Sequence, residues 1–170
     1  MRKNKISKIN IIRAILIILL LATFIRIFCF SNQNGTQSSG VSRKVTEIVT
    51  SNIKKVQNMS KNERELFLEH TEKIIRKLAH FSIYAILGIN ILGFVNTYKN
   101  FKFKSQIEIT LFSGFLYAVS DEFHQMFSGG RTASPKDVCI DTLGVLFGIG
   151  IFLLIKKLIK YLMCFRTQIF

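Results

Sequence analysis

The sequence predicts an all-α membrane protein: a four-transmembrane-helix bundle with an extracellular amphipathic helical connection between spans 1 and 2. Hydrophobic residues make up 49% of the 170 residues, and only one residue is proline. Four apolar runs have about the 20 residues that a helix needs to cross a bilayer. Basic residues flank these runs, as is typical of membrane proteins. Within a single membrane domain of residues 1–170, the predicted spans cover about residues 11–30, 78–98, 106–127 and 137–155.

The charge of the chain indicates its partners. The formal net charge is +14, which in a soluble protein would suggest binding to nucleic acid. Here most basic residues lie between apolar runs, where anionic lipid headgroups and the control of topology explain them more economically. We therefore expect membrane lipids as partners and no nucleic acid. The three cysteines form no C-x-x-C pair and indicate neither a disulfide framework nor a zinc site: Cys29, Cys139 and Cys164.

The first predicted span, residues 11–30, follows a short basic segment and resembles a signal peptide. No small-x-small cleavage site lies near its end, so we expect this span to remain uncleaved. Residues 31–40 are rich in Ser, Asn, Gln and Gly, and they predict a loop. The valines and isoleucines from Val41 to Val56 then fall on one helical face, which suits a helix lying on a headgroup surface.

The later helices carry clear start signals. Ser60-x-x-Glu63 is a capping box, and we expect the helix that it starts to run directly into the second span. At Ser134 an N-cap serine precedes a proline at the first helical position, which predicts a sharp start for the fourth span. Gly144-x-x-x-Gly148 in that span predicts close packing against another helix.

The orientation follows from the basic segments. The N-terminus, the turn at residues 99–104 and the C-terminal tail are short and basic. The positive-inside rule puts all three in the cytoplasm, and four spans with both termini inside satisfy it. Residues 31–75 and the polar segment at residues 120–141 then face the outside of the cell.

Polar and ionisable residues from distant parts of the sequence meet at this predicted outer rim. Charged side chains at the rim of a span are costly, so they are usually paired or functional. Two interpretations stay open: an internal salt-bridge network that joins the spans, or a pocket that grips a headgroup, sugar or peptide, or performs chemistry on one. The candidate ligand pocket consists of Arg76, His80, Tyr84, Asp121, Glu122, His124, Gln125, Arg131, Asp137 and Asp141.

Arg131 follows two glycines, so its loop can fold back over the ends of the third and fourth spans. We expect Arg131 to pair with Asp137 or else with Asp121, because a guanidinium grips a carboxylate in a planar, bidentate way. The loss of one member of a partly buried pair would cost about 3–5 kcal/mol.

Catalytic templates fit this set of residues poorly. Four residues could in principle ligate a metal: His80, Asp121, Glu122 and His124. No H-E-x-x-H motif is present, and we expect no metal and no cofactor. A serine triad could be assembled from Ser134, His124 and Asp141, but no nucleophile elbow surrounds the serine. General acid–base chemistry by His124 with Asp121 stays open.

The order and spacing of these residues resemble the VanZ-like family, over roughly residues 25–150. The matching segments are Lys77-x-Ala79-His80-Phe81-x-x-Tyr84-x-x-Leu87-Gly88, Ser120-Asp121-Glu122-x-His124-Gln125, Gly130-Arg131, Ser134-x-x-Asp137-Val138 and Asp141-Thr142-x-Gly144. One departure is Gly129, where members of the family often have proline.

The resemblance implies a small four-span protein of the bacterial plasma membrane. The founding member of the family is linked to resistance to the lipoglycopeptide teicoplanin, without itself remodelling cell-wall precursors. We favour a non-enzymatic role, in which the outer pocket binds a lipoglycopeptide or a cell-wall lipid intermediate. The alternative is a membrane-embedded enzyme that acts on a cell-envelope lipid or a lipid-linked precursor, with His124 and Asp121 as acid and base.

Overall fold

The computed structural model describes residues 2–31, 35–127 and 134–169. These residues confirm the all-α prediction. The helices, in chain order, are α1 (Arg2–Ser31), α2 (Gly35–Thr50), α3 (Lys54–Gln57), α4 (Lys61–Asn96), α5 (Phe103–Phe127) and α6 (Pro135–Ile169).

The chain is a multi-pass membrane protein. Within the described ranges, three helical segments are long and apolar enough to cross a bilayer: Lys8–Ser31, Lys61–Asn96 and Pro135–Phe165. Helix α5, with 25 residues, is also long enough to cross a bilayer. It is less apolar than the three segments named above. The polar residues that α5 carries, among them Glu108, Asp121 and Glu122, lower its mean hydropathy.

Helix α4 lies at the centre of the bundle. It packs against α1, α2, α5 and α6, and its contact with α6 is the most extensive of these. The buried apolar core runs along this contact and continues onto α1 and α5; it includes Ile27, Tyr84, Leu87, Leu92, Ala118 and Val145. Because α4 touches every other spanning helix, its sequence determines which side chains of the bundle can meet.

Two glycines of α6 bring its backbone against that of α4, which confirms the predicted close packing. Gly144 lies against Phe81, so that an added Cβ would stand 2.5 Å from the Phe81 carbonyl oxygen. Gly148 lies still closer to the carbonyl oxygen of Ala85. Small residues at such positions allow the backbone approach that drives the association of helices in lipid.

Both ends of the spanning part of α4 are fixed by polar contacts. At its start the capping box is confirmed, because Ser60 and Glu63 exchange side-chain and backbone hydrogen bonds. The helix runs from there without a break into the apolar segment, as expected. Just beyond its end, Arg13 of α1 donates from Nε to Thr97 Oγ1 at 3.1 Å. The same guanidinium lies 3.9 Å from the ring centroid of Tyr98.

The connection between α1 and α4 differs from the prediction in two respects. Residues 31–40 are not a loop throughout, because α2 begins at Gly35; residues 32–34 lie outside the described residues. The apolar face predicted from Val41 to Val56 is also not continuous. Helix α2 ends at Thr50, a turn follows, and Val56 is buried in the short α3.

Helix α2 packs on α4 through hydroxyl side chains rather than through its apolar face. Ser42, Thr46 and Thr50 are buried. The two threonine hydroxyls donate to backbone carbonyls of the preceding turn, so their burial leaves no polar atom unsatisfied. Val45, Ile48 and Val49 therefore point away from α4, and Ile48 is 73% exposed.

An ion pair adds to the contact between α2 and α4. The guanidinium of Arg43 donates to both carboxylate oxygens of Glu65, at 2.9 and 2.8 Å. Hydrogen bonding to Glu65 raises the pKa of Arg43 above its ordinary value. Ser42 also donates to Glu72 at 3.1 Å. Helix α2 is thus attached to the projecting first turns of α4.

We expect Gly148→Ala to lower the melting temperature in detergent, followed by circular dichroism, because the new methyl group would meet the backbone of α4. Overpacking of this kind costs about 1–3 kcal/mol. The matched control is Gly150→Ala, since a Cβ at Gly150 meets no atom within 4 Å. Alanine at that position should leave stability unchanged or raise it by up to about 1 kcal/mol, through helix propensity. Equal effects of the two substitutions would contradict the close contact.

Candidate functional site

Four helices bring polar side chains together at one end of the bundle. Helix α1 ends there at Ser31 and α5 ends a few residues after Gln125, while α6 begins there. Helix α4 extends past this end of the bundle and contributes His80 and Tyr84 to it. The predicted convergence of distant positions is therefore present, and we call its buried and half-buried part the polar cluster: Ser31, His80, Tyr84, Asp121, Gln125 and Asp141.

Asp121 is held by hydrogen bonds from two helices. Ser31 donates from Oγ to Asp121 Oδ1 at 2.5 Å. Gln125 donates from Nε2 to Asp121 Oδ2 at 3.1 Å, and the same nitrogen lies 3.1 Å from Ser31 Oγ. All three side chains are buried. Sequence reasoning gave Ser31 no role at the site, although its place at the end of the first span could have suggested one.

Glu122 joins the end of α5 to the start of α6. Its Oε1 atom accepts a hydrogen bond of 2.6 Å from the backbone N–H of Ser134, and the side chain is buried. A carboxylate at the N-terminus of a helix is stabilised by the helix dipole. The contact therefore assigns Glu122 a structural role next to the polar cluster.

His80, Asp121 and Asp141 meet from three different helices. The Nδ1 atom of His80 lies 4.0 Å from Asp141 Oδ2. One nitrogen or oxygen atom from each of the three side chains lies within 4.8 Å of the others. Asp121 is 6% exposed and Asp141 is 3% exposed, so two carboxylates face each other away from water.

Tyr84 is the remaining member of the polar cluster and lies on α4, one helical turn after His80. Its side chain is fully buried, and its hydroxyl lies near Asp121 and Asp141. The hydroxyl makes no hydrogen bond with any residue that the structure describes. A buried donor without a partner is uncommon in native proteins and calls for an explanation.

The other predicted pocket residues lie around the cluster. The ring of His124 stacks on Phe28 of α1, with the ring centroids 4.8 Å apart. Arg76 is half-buried, one helical turn before His80. Lys77 forms an ion pair with Asp137. Arg131 lies outside the described residues, and so does its expected pairing.

Asp137 makes its ion pair with Lys77 in contact with water. Its side chain is 37% exposed and that of Lys77 is 46% exposed. Ion pairs in contact with water contribute about 0–1 kcal/mol, well below the value for a partly buried pair. The Lys77–Asp137 pair therefore makes a small energetic contribution, and the expected pairing of Asp137 with Arg131 stays a prediction.

A concave region lies away from the polar cluster, farther from the bundle core. It is an open groove between α3 and the first turns of α4, with a volume of about 650 Å³. Its lining residues are Lys55, Asn58, Met59, Glu63, Leu66 and Phe67. None of the predicted pocket residues lines this groove, so the groove and the polar cluster are separate features.

The chemistry available to the cluster follows from its groups. It combines two carboxylates, one imidazole and one phenol in a place with little water. Such groups can accept and donate hydrogen bonds to a polar ligand, move a proton or hold a cation. Two facing carboxylates are costly to bury unless a proton or a positive charge compensates them.

A protein-family model described as VanZ/LLP1 matches residues 16–156. The matched range contains every residue of the polar cluster and the whole of α4 and α5. Comparisons with curated proteins and with solved structures find no match. This family match agrees with the resemblance inferred from the sequence motifs.

We expect Ser31→Ala to lower the free energy of unfolding by about 1–3 kcal/mol, because Asp121 loses a buried hydrogen-bond donor. The control is Ser82→Ala, since the exposed Ser82 donates only to the Leu78 carbonyl of its own helix. That change should stay within about 0.5 kcal/mol. Denaturant unfolding in mixed micelles provides the comparison, and an effect at Ser31 no larger than at Ser82 would contradict the network.

Proposed function

The chain belongs to the VanZ/LLP1 family, and from this premise we propose that it is a non-enzymatic lipid-ligand binding protein of the bacterial plasma membrane. Its ligand is a cell-envelope molecule with a polar head and an acyl chain, such as a teicoplanin-type lipoglycopeptide or a cell-wall lipid intermediate. The observation that carries this proposal is the buried polar cluster at one end of an otherwise apolar bundle.

The proposal includes α5 as a fourth span. At about 1.5 Å per residue, its 25 residues give a length of about 37 Å, more than the hydrocarbon core of roughly 30 Å. Its polar residues Asp121, Glu122 and Gln125 are buried against the other helices. Its exposed side chains are largely apolar, and Phe112 and Leu116 are 62% and 50% exposed. Buried, protein-facing residues thus contribute much of the low mean hydropathy of α5.

Four spans place both termini in the cytoplasm, in keeping with the basic segments at the ends and at residues 99–104. The polar cluster, α2 and α3 then face the cell exterior. The exposed apolar side chains of α2, Val45, Ile48 and Val49, suit contact with the outer headgroup layer. In this arrangement the polar head of a ligand reaches the cluster from outside, while its acyl chain stays in the bilayer.

A second candidate is an enzyme that acts on a cell-envelope lipid. The observation that favours it is the grouping of His80 with Asp121 and Asp141, because an imidazole beside carboxylates can act in proton transfer. The sequence suggested His124 for this role. In the structure His124 stacks on Phe28, and we therefore assign the acid–base role in this alternative to His80.

Titration with teicoplanin and with a glycopeptide that lacks the acyl chain tests the binding proposal. We expect Asp121→Asn to weaken teicoplanin binding about tenfold, the size of one lost charge-assisted contact of about 1.4 kcal/mol. Glu108→Gln is the control, because it changes an exposed carboxylate on the same helix. Equal affinity of the wild type and Asp121→Asn would contradict the proposal. Mass spectrometry of the recovered ligand separates the two candidates, since an altered mass would mean catalysis.

A further inference from the structure

The polar cluster has the composition of a metal site, and we propose that His80, Asp121 and Asp141 together bind one divalent cation. Each residue supplies one ligand atom, and the three atoms lie within 4.8 Å of one another. Imidazole nitrogen and carboxylate oxygen are ligands that zinc and manganese accept. With metal–ligand bonds of roughly 2.1 Å, ligand atoms lie about 3–3.5 Å apart, so small side-chain rotations complete the site.

The charges of the cluster favour a divalent ion. Asp121 and Asp141 are 6% and 3% exposed, and burial of two like charges is unfavourable without compensation. Lys77, on the same helix as His80, is engaged by Asp137. One divalent cation held by two carboxylates and a neutral imidazole gives a site with no net charge.

Tyr84 is an independent indication of a ligand at this place. Its hydroxyl is buried beside both carboxylates and makes no hydrogen bond within the described part of the chain. The hydroxyl does not belong to the set of three ligands, so its lack of a partner is separate from their grouping. A metal ion that carries a water molecule or a ligand oxygen would supply the missing partner.

The surroundings of Asp121 are those of a supported metal ligand. Ser31 and Gln125 hydrogen-bond its two oxygens, and outer contacts of this kind orient the ligands of metal sites. Three protein ligands leave coordination positions open for water or for an oxygen of a bound molecule. The site does not depend on the proposed lipid ligand, because the ion alone can bind. The metal set considered from the sequence lacked Asp141, which only the α4–α6 contact brings to His80.

The test uses the full chain, purified through a tag without histidine, stripped with a chelator and titrated calorimetrically with Zn²⁺ and with Mn²⁺. We expect one ion per chain for at least one of these metals. His80→Gln and Asp121→Asn should each weaken binding about tenfold or more. The controls His70→Gln on α4 and Glu108→Gln on α5 change exposed side chains and should bind like the wild type. No binding below about 1 mM, or wild-type binding by both site variants, would overturn the proposal.

A second measurement covers the case in which the site variants do not fold. X-ray absorption of Zn²⁺ bound to the wild-type chain should show one imidazole and oxygen ligands from carboxylates. A zinc ion without an imidazole ligand would overturn the proposal. The metal titration contains no lipid or glycopeptide, so its failure leaves the proposed ligand binding untouched, and the reverse also holds.

Discussion

The backbone contact between α4 and α6 determines where the polar side chains of this bundle meet. Gly88 lies against the Val145 backbone, and Gly144 lies against the Phe81 backbone and the Cβ atom of Tyr84, so the two helices approach each other closely at these positions. On α4, residues four apart share a face, and on α6 residues three apart nearly do. The face of α4 that carries Gly88 therefore also presents Tyr84, and the face of α6 that carries Gly144 presents Asp141. A wider separation of the helices would draw Asp141 away from His80.

The same geometry explains how a membrane bundle carries so many ionisable groups. Polar side chains in lipid are expensive, and they are tolerated where they face the bundle interior. Asp121, Glu122, Gln125 and Asp141 are all buried against other helices, while the exposed side of α5 is largely apolar. Glu122 and Gln125 have hydrogen-bonded partners, which reduces the cost of their burial. Asp121 also has two hydrogen-bonding neighbours, Ser31 and Gln125, and Asp141 lies 4.0 Å from His80 Nδ1.

Local sequence signals made much of this fold predictable. They do not show how each helix is rotated about its axis relative to its neighbours, and the contacts that depend on this rotation were not predicted. The capping box at Ser60, the helix start at Pro135 and the glycine pair of α6 each depend on a few neighbouring residues, so the sequence alone identified them. The four-residue spacing of His80 and Tyr84 also puts them on one face of α4. Periodicity could not show which face of α1 meets α5, and the contact of Ser31 with Asp121 was missed for that reason. The start of α2 at Gly35 was missed because residues 35–40 lack apolar periodicity.

The proposed ligand site requires the polar cluster to face the cell exterior, and cysteine labelling in intact cells tests this orientation. The exposed cysteines, Cys29, Cys139 and Cys164, are first replaced by serine. Ser51→Cys, in the turn after α2, and Asn100→Cys, in the turn between α4 and α5, then provide one exposed position at each predicted side. The account predicts that an impermeant thiol reagent labels the cysteine at 51 and not the one at 100 until the cells are opened. The reverse pattern, or labelling of both in intact cells, would contradict it.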